Sequence, residues 1–139
     1  ENIYAENFKS NVLLFEEFSR VFIRNASFIG GYKAPIVGRN FFEFKMDSVN
    51  IYGCSNRYRG SALNLLANTD SSIVISNSSF INNTVTNPIS RADVSEYLGG
   101  ALVITGNSID GVIEDCTFEG NVVDFFASDI VVVANPESV

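Results

Sequence analysis

The sequence predicts an all-β fold, a right-handed parallel β-helix of about five coils in a single segment that spans residues 1–139. One observation is a phrase that occurs twice: VIEDCTFEGN at 112–121 and IVISNSSFINN at 73–83 share apolar, turn-prone, small and aromatic positions. A second is a shorter β-rich phrase between the copies, such as ALVIT at 101–105. A third is the variable spacing of the copies, which is typical of constant coils joined by loops of different length. A β-sandwich or meander is the rival interpretation, because short strands with turns suit both.

The recurring phrase defines two apolar columns, in which equivalent side chains are expected to stack from coil to coil. The first column comprises Ile3, Ile23, Ile51, Ile75 and Ile113. The second column, five residues later, comprises Phe8, Phe28, Phe80 and Phe118, with Asn56 in the third copy. A parallel coil places each residue about 4.8 Å above its equivalent, whereas a meander gives no reason for like residues to recur. The columns therefore predict the stacked core of a solenoid.

Two further columns predict corners and a ladder. The residues two positions after each isoleucine are Ala5, Asn25, Gly53, Asn77 and Asp115. Asn, Gly and Asp tolerate the left-handed backbone, so this column is predicted to be a corner between two strands. The residues three positions after the phenylalanine column are Asn11, Gly31, Arg59, Asn83 and Asn121. We expect the asparagines among them to form a side-chain ladder.

The two cysteines, Cys54 and Cys116, fall in the small column beside the predicted corner, with Ser78 between them. Two coils of separation correspond to roughly 9–10 Å. This exceeds the roughly 7 Å between Cα atoms that a disulfide tolerates. The sequence therefore predicts two buried free thiols that pack as small apolar side chains.

Three N-glycosylation sequons are present, with Asn25, Asn77 and Asn82 as acceptors. Asn25 and Asn77 share the predicted corner, so their side chains are expected to point outward. A glycan on any of the three implies a secretory route. The alternative is that all three are turn residues only.

Composition argues against catalysis and against nucleic acid as a partner. The net charge is −7 and the chain has no histidine, whereas nucleic-acid binders are basic. The stretch NTD at 68–70 resembles one motif of polygalacturonases, but their other motifs are missing. Asp70 also lacks the second carboxylate that glycoside hydrolysis needs, so it is interpreted as a turn residue. No catalytic residue, metal site or cofactor is predicted, and no membrane span, because no uncharged run reaches roughly 18 residues.

Charge is unevenly distributed along the chain. All nine Lys and Arg lie within residues 1–91, whereas nine of the 16 Asp and Glu lie within residues 92–139. An elongated fold would therefore have one acidic end. The alternatives are a solvated acidic surface and a calcium site formed by Asp110, Asp115 or Asp124.

Two longer stretches between the phrases are predicted to be side-loop insertions, at about residues 30–40 and 84–100. Insertions of this kind often lie on one flank of a solenoid, and long loops are often functional. The second stretch contains the residues of a possible contact loop, Arg91, Asp93, Glu96 and Tyr97. The alternative is a surface loop that has no binding role.

Short phrases carry a resemblance to a known family. GGAL at 99–102, followed by CTFEGN at 116–121, resembles the β-helical repeats of chlamydial polymorphic outer-membrane proteins. The phrases are similar to those of related surface β-helix repeat proteins with a pectate-lyase-like fold. GSAL at 60–63 and SSFINN at 78–83 form a looser second copy, so the resemblance covers residues 60–121. It implies a β-helical module of surface attachment and adhesion.

The two ends of the sequence lack the polar caps of a finished solenoid, and DIVVVAN at 129–135 leaves an apolar final strand. We therefore expect a segment of a longer chain, or copies that stack end to end into a filament. The function expected is a non-catalytic structural or adhesive module, secreted or on the cell surface. Its partners would be neighbouring coils, other copies, or surface glycans or proteins. The alternative is a carbohydrate-binding or polysaccharide-cleaving β-helix, which a cleft lined by aromatic and acidic residues would favour.

Overall fold

The regular structure of the chain consists of strands. The computed structural model describes residues 3–17, 20–56, 61–86, 100–106, 108–123 and 129–134. Within these ranges there are 13 strands and no helix. The strands are β1 (Tyr4–Glu6), β2 (Leu13–Glu16), β3 (Arg20–Ile29), β4 (Ile36–Tyr52), β5 (Ser55–Asn56), β6 (Leu63–Ser76), β7 (Ser79–Ile81), β8 (Thr84–Val85), β9 (Leu102–Gly106), β10 (Ile109–Glu114), β11 (Thr117–Glu119), β12 (Val122–Val123) and β13 (Ile130–Ala134).

Every strand pair among the described residues is parallel, and each strand pairs with a strand one repeat away in sequence. In the first repeat Tyr4 pairs with Ser27, and in the last repeat Thr84 pairs with Val122. A meander would pair its neighbours antiparallel through hairpins, so the pairing contradicts that rival interpretation. The described chain is all-β with parallel sheets, which is compatible with the predicted β-helix.

In the first repeats, the residues that occupy the two apolar columns differ from those predicted. One column comprises Ile23, Met46, Ile75 and Ile113. The other comprises Ala5, Phe28, Ile51, Phe80 and Phe118. The predicted places of Ile3 and Ile51 in the isoleucine column, and of Phe8 and Asn56 in the other, are therefore wrong. The interior selects apolar volume rather than residue identity, so Met46 and Ile51 fill positions where a repeated Ile or Phe was expected.

Left-handed residues mark two corners of the recurring phrase, and a further set comprises Glu17, Asn40 and Asp70, with φ between 53° and 58°. The first corner comprises Asn25, Ser48, Asn77 and Asp115, with φ between 48° and 56°. The second comprises Asn7, Gly30, Gly53, Asn82 and Gly120, with φ between 51° and 68°. The predicted corner thus holds for Asn25, Asn77 and Asp115. It is wrong for Ala5, which lies in β1, and for Gly53, which lies in the second corner.

The stretch at residues 30–40, predicted to be a side loop, leads directly into β4. Ala34 and Ile36 are fully buried, so they belong to the core rather than to an insertion. Bends within residues 30–35 precede the strand, and Gly38 lies inside it. In the other predicted insertion, 84–100, residues 87–99 lie outside the described residues. That range holds all of the predicted contact loop, Arg91, Asp93, Glu96 and Tyr97.

The core consists of one side-chain face of each long strand. The largest fully buried side chains are Phe28, Phe41, Phe44, Phe80, Ile36, Met46, Ile51, Leu63, Leu65, Ile73, Ile75 and Leu102. Along β4 these alternate with more exposed residues, the period of two that a strand dictates. Full burial of each such side chain stabilises the fold by about 1.5–3 kcal/mol.

Candidate functional site

The hydrophobic core is closed in its middle and open at both ends. Phe44, Leu65 and Ile75, in the middle, are fully buried. The apolar residues that pack against the core but remain partly exposed are Ile3, Ala5, Phe8, Val12, Leu13, Phe15, Val21, Ile109, Ile113, Cys116, Phe118 and Ile130. They fall in two groups, within residues 3–21 and 109–130, which we call the N-terminal end and the C-terminal end. Solvent therefore reaches inward-facing side chains at these two surfaces.

Aromatic rings partly cover the N-terminal end. A Cβ atom on Gly31 would overlap the ring of Phe8, and one on Gly38 would overlap the ring of Phe15. The Phe15 ring also stacks on Phe44, with centroids 5.7 Å apart and planes 11° from parallel. Each glycine thus leaves the space that a ring from the preceding repeat fills.

An asparagine ladder leads to the C-terminal end, as predicted for Asn83 and Asn121. Asn83 donates to the Oδ1 of Asn121 from its backbone N–H and from its Nδ2, each at 3.0 Å. One repeat earlier, the backbone N–H of Cys54 donates to the Oδ1 of Asn83 at 3.0 Å. The last rung is a bond from Asn121 Nδ2 to the carboxylate of Asp129 at 2.9 Å. Both asparagines are buried and Asp129 is exposed, so the ladder ends in a charge that solvent reaches.

The two cysteines lie in different columns, which corrects the predicted arrangement. Cys116 stands beside Ser78 as predicted, but Cys54 stands beside Asn83, and Val49 occupies the place predicted for Cys54. Both thiols are free. Cys54 is buried, whereas Cys116 is only partly buried because it lies at the C-terminal end. Burial raises the pKa of both thiols, which makes them weak nucleophiles.

The exposed face formed by β3, β4, β6 and β10 changes charge from one end to the other. One row along this face comprises Arg20, Glu43, Ser72 and Asp110. A parallel row comprises Arg24, Asp47, Ser76 and Glu114. Each row therefore begins with a cation and finishes with a carboxylate. In the middle, Asn77 Nδ2 donates to Asp47 at 2.8 Å and Ser76 Oγ donates at 3.1 Å. These bonds lower the pKa of the Asp47 carboxyl.

The three sequon asparagines are all exposed and all have a left-handed backbone, with φ of 54° at Asn25, 48° at Asn77 and 55° at Asn82. The amide of Asn77 is engaged with Asp47. The side chain of Asn25 makes no hydrogen bond to the described residues. The corner geometry alone accounts for asparagine at these positions.

Of the residues considered for catalysis or metal binding, Asp70, Asp110 and Asp115 lie within the described ranges. Asp70 is exposed and lies within β6, where its φ of 58° is a left-handed interruption of the strand. No group of three or more Asp, Glu or Cys side chains within the described ranges is arranged to hold a metal ion. Asp124, one of the three residues of the alternative calcium site, lies outside the described residues.

Sequence reasoning missed a cleft of about 450 Å3 on the flank of the first three repeats. The described residues that line it are Asn11, Lys33, Val37, Gly38, Arg39, Asn56, Asn64 and Leu66. Asn11 was predicted to join the asparagine ladder, but its Nδ2 donates to the carbonyl of Ala34 at 2.6 Å. The cleft thus combines amides with two cations in a chain whose net charge is −7.

No protein-family model, no curated protein and no solved structure matches this chain. Among the described residues, no helix has the length and apolarity that a membrane crossing requires. Function is therefore inferred from the geometry of the two ends and of the cleft.

Proposed function

We propose that the chain is a right-handed parallel β-helix of about five coils that stacks end to end as part of a long stalk or filament. In this proposal it is a non-catalytic structural or adhesive module, secreted or on the cell surface. The parallel registers support the coil, because each residue is paired with its equivalent one repeat later. The phrases GGAL and CTFEGN and the three sequons support the extracellular setting.

The open core carries the proposal of end-to-end stacking. Partly exposed core residues are confined to the first and last repeats, where a further coil would cover them. Among the described residues β2 pairs with β4 alone, and β13 pairs with β9 alone. An edge strand with unpaired backbone groups pairs readily with another strand.

Head-to-tail stacking would continue a row that already runs through the molecule. The row comprises Leu13, Ile36, Leu63, Leu102 and Ile130. A second copy whose β2 paired with β13 of the first would extend this row across the junction. It would also cover Leu14 and Val132, which are 56% and 60% exposed, and full burial of such a side chain contributes about 1.5–3 kcal/mol.

Charge favours the head-to-tail direction on one face and opposes it on another. Arg20 and Arg24 lie near the N-terminal end, whereas the exposed carboxylates near the C-terminal end are those of Asp110, Glu114, Asp115, Glu119 and Asp129. In contrast, Glu6 and Glu119 begin and finish one row, so stacking would bring like charges together. Such a pair costs about 0.2–1 kcal/mol, which is less than the burial of Leu14 and Val132 contributes.

Sedimentation velocity over a concentration series tests the proposal. We expect the unmodified chain to form species whose mass grows with concentration, seen as rods in electron micrographs. Val132→Lys places a charge on the C-terminal edge and should leave monomers. Tyr52→Lys is the control, because Tyr52 is 45% exposed on β4, which is paired there with β3 on one side and β7 on the other, and it should still form rods. Monomers of the unmodified chain at every concentration, or equal effects of the two lysines, would contradict stacking.

A further inference from the structure

We propose that the cleft on the flank binds a small saccharide that carries a carboxylate. The volume of about 450 Å3 lies within the roughly 300–1,000 Å3 of small-molecule sites. Its lining residues come from three successive repeats: Asn11 from the first, Lys33 and Arg39 from the second, and Asn64 from the third. This inference does not depend on stacking, because no lining residue of the cleft is among the partly exposed core residues that define the two ends.

The internal repeat indicates that the polar residues of the cleft are not required by the fold. Asn64 stands in an outward row of β4, β6 and β9, between Val37 and Val103. Both valines are nearly or fully buried, at 9% and 0% exposure. Two other repeats thus have valine at the position of Asn64, and the asparagine introduces an amide into an otherwise apolar row.

The same replacement occurs beside β5. Asn56 pairs with Val85, which pairs with Val123, and both valines are buried. The bond from the Ser55 N–H to the Gly31 carbonyl places Lys33 at the equivalent position one repeat before Asn56. Lysine and asparagine therefore line the cleft where the later repeats have core valines.

The cations of the cleft indicate the charge of the ligand. The side chain of Lys33 is exposed and makes no ion pair or hydrogen bond among the described residues. Arg39 is 3.4 Å from Glu16 through one guanidinium nitrogen, and a guanidinium carries five N–H donors. The paired Glu16 offsets one of the two positive charges. The charged residues described at the cleft thus carry a net charge that matches a single carboxylate, and arginine binds carboxylates through two parallel hydrogen bonds.

The rest of the lining indicates a polyhydroxylated ligand. An asparagine amide combines donors with an acceptor, which suits hydroxyl groups that both donate and accept. The amide of Asn64 is half-buried and makes no side-chain hydrogen bond within the described residues, so it is available to a ligand. Val37 and Leu66 supply apolar contacts for C–H groups. The combination of one carboxylate partner, several amides and short apolar patches fits an acidic sugar better than an inorganic anion.

Titration with sodium glucuronate, followed by isothermal calorimetry and by amide chemical shifts, tests the inference. Glucose serves as the neutral sugar, and acetate and inorganic phosphate as anions without the sugar. We expect saturable binding of glucuronate, at least about tenfold tighter than that of the other three, because glucose lacks the carboxylate and the two anions lack the sugar hydroxyl groups. Shifts should concentrate on residues 33–39 and 64–66.

Substitutions by the valine of the later repeats keep the test independent of folding. Lys33→Val should weaken glucuronate binding at least about tenfold, and Asn64→Val should reduce the preference for glucuronate over acetate. Lys9→Met is the matched control, because Lys9 is an exposed lysine that does not line the cleft, and it should bind as the unmodified chain does. The inference is overturned by equal binding of phosphate or glucose, by absence of saturation, or by equal behaviour of Lys33→Val and Lys9→Met.

Discussion

The rings of Phe80 and Phe118 lie face to face, with centroids 4.8 Å apart and planes 3° from parallel. This separation equals the distance of about 4.8 Å between paired strands. The stacking is therefore a direct result of the parallel register that pairs β7 with β11. Phe80 is fully buried, whereas Phe118 remains partly exposed at the C-terminal end.

Replacement of Phe80 by alanine should cost about 3–5 kcal/mol of unfolding free energy, because the substitution leaves a cavity in the closed middle of the core. Urea denaturation followed by circular dichroism measures the loss. Phe22→Ala is the control. Phe22 is 53% exposed and touches the guanidinium of Arg24 at 4.7 Å, a contact worth about 0.5–1 kcal/mol. Similar losses in the two variants would show that Phe80 does not pack as described.

Removal of the Asn83 side chain should destabilise the fold more than its size suggests. Asn83→Ala leaves the buried N–H of Cys54 without its acceptor and removes the Nδ2 hydrogen bonds to Asn121 and to the carbonyl of Ile51, and an unsatisfied buried group costs about 1–3 kcal/mol. A loss of about 3 kcal/mol in thermal or urea denaturation is therefore expected. Asn50→Ala, at an exposed asparagine bonded to Ser79, should cost less than about 1 kcal/mol. If Asn83→Ala lost as little unfolding free energy as Asn50→Ala, the buried ladder would be contradicted.

Gly31→Ala should destabilise the chain because the new Cβ overlaps the Phe8 ring. Overpacking of this kind costs about 1–3 kcal/mol. The double variant with Phe8→Ala should recover part of that loss, since the overlap is then gone, and a double-mutant cycle measures the coupling. At Gly53 a Cβ meets nothing within 4 Å but φ is 65°, so Gly53→Ala reports backbone strain alone. Additive effects of Gly31→Ala and Phe8→Ala would refute the proposed contact.

The last two repeats were predictable in detail because they carry the same phrase. Phe80 with Phe118 and Asn83 with Asn121 follow from columns read in the sequence, and the registers agree. The earlier repeats were not predictable in this way, because Met46 satisfies the core as well as an isoleucine does. Left-handed backbone is a stricter requirement than apolarity, so a register anchored on both corners would have placed Gly53 correctly.

The cleft could not be predicted before the register was known. Lys33 and Asn64 look like ordinary surface residues in the sequence. Their signal is that they occupy positions where other repeats have buried valines, such as Val85 and Val103. Only the correct pairing of β4 with β6 and of β5 with β8 reveals that substitution.

Acid should remove a stabilising contribution from Asp47. Hydrogen bonds from Asn77, Ser76 and Ser48 lower the pKa of its carboxyl below the ordinary value of 3.8. The contribution is therefore present above the unfolded-state pKa, and it is lost as the pH falls through the lower pKa of the folded state. Melting temperatures of the unmodified chain and of Asp47→Asn should differ at neutral pH and converge below about pH 4. Asn77→Gly removes the main hydrogen-bond donor to Asp47 but keeps the left-handed backbone. Its melting temperature should therefore also fall less steeply as the pH is lowered. This linkage would be ruled out if the melting temperatures of the unmodified chain and Asp47→Asn differed by the same amount into strong acid. It would also be ruled out if Asn77→Gly had the pH dependence of the unmodified chain.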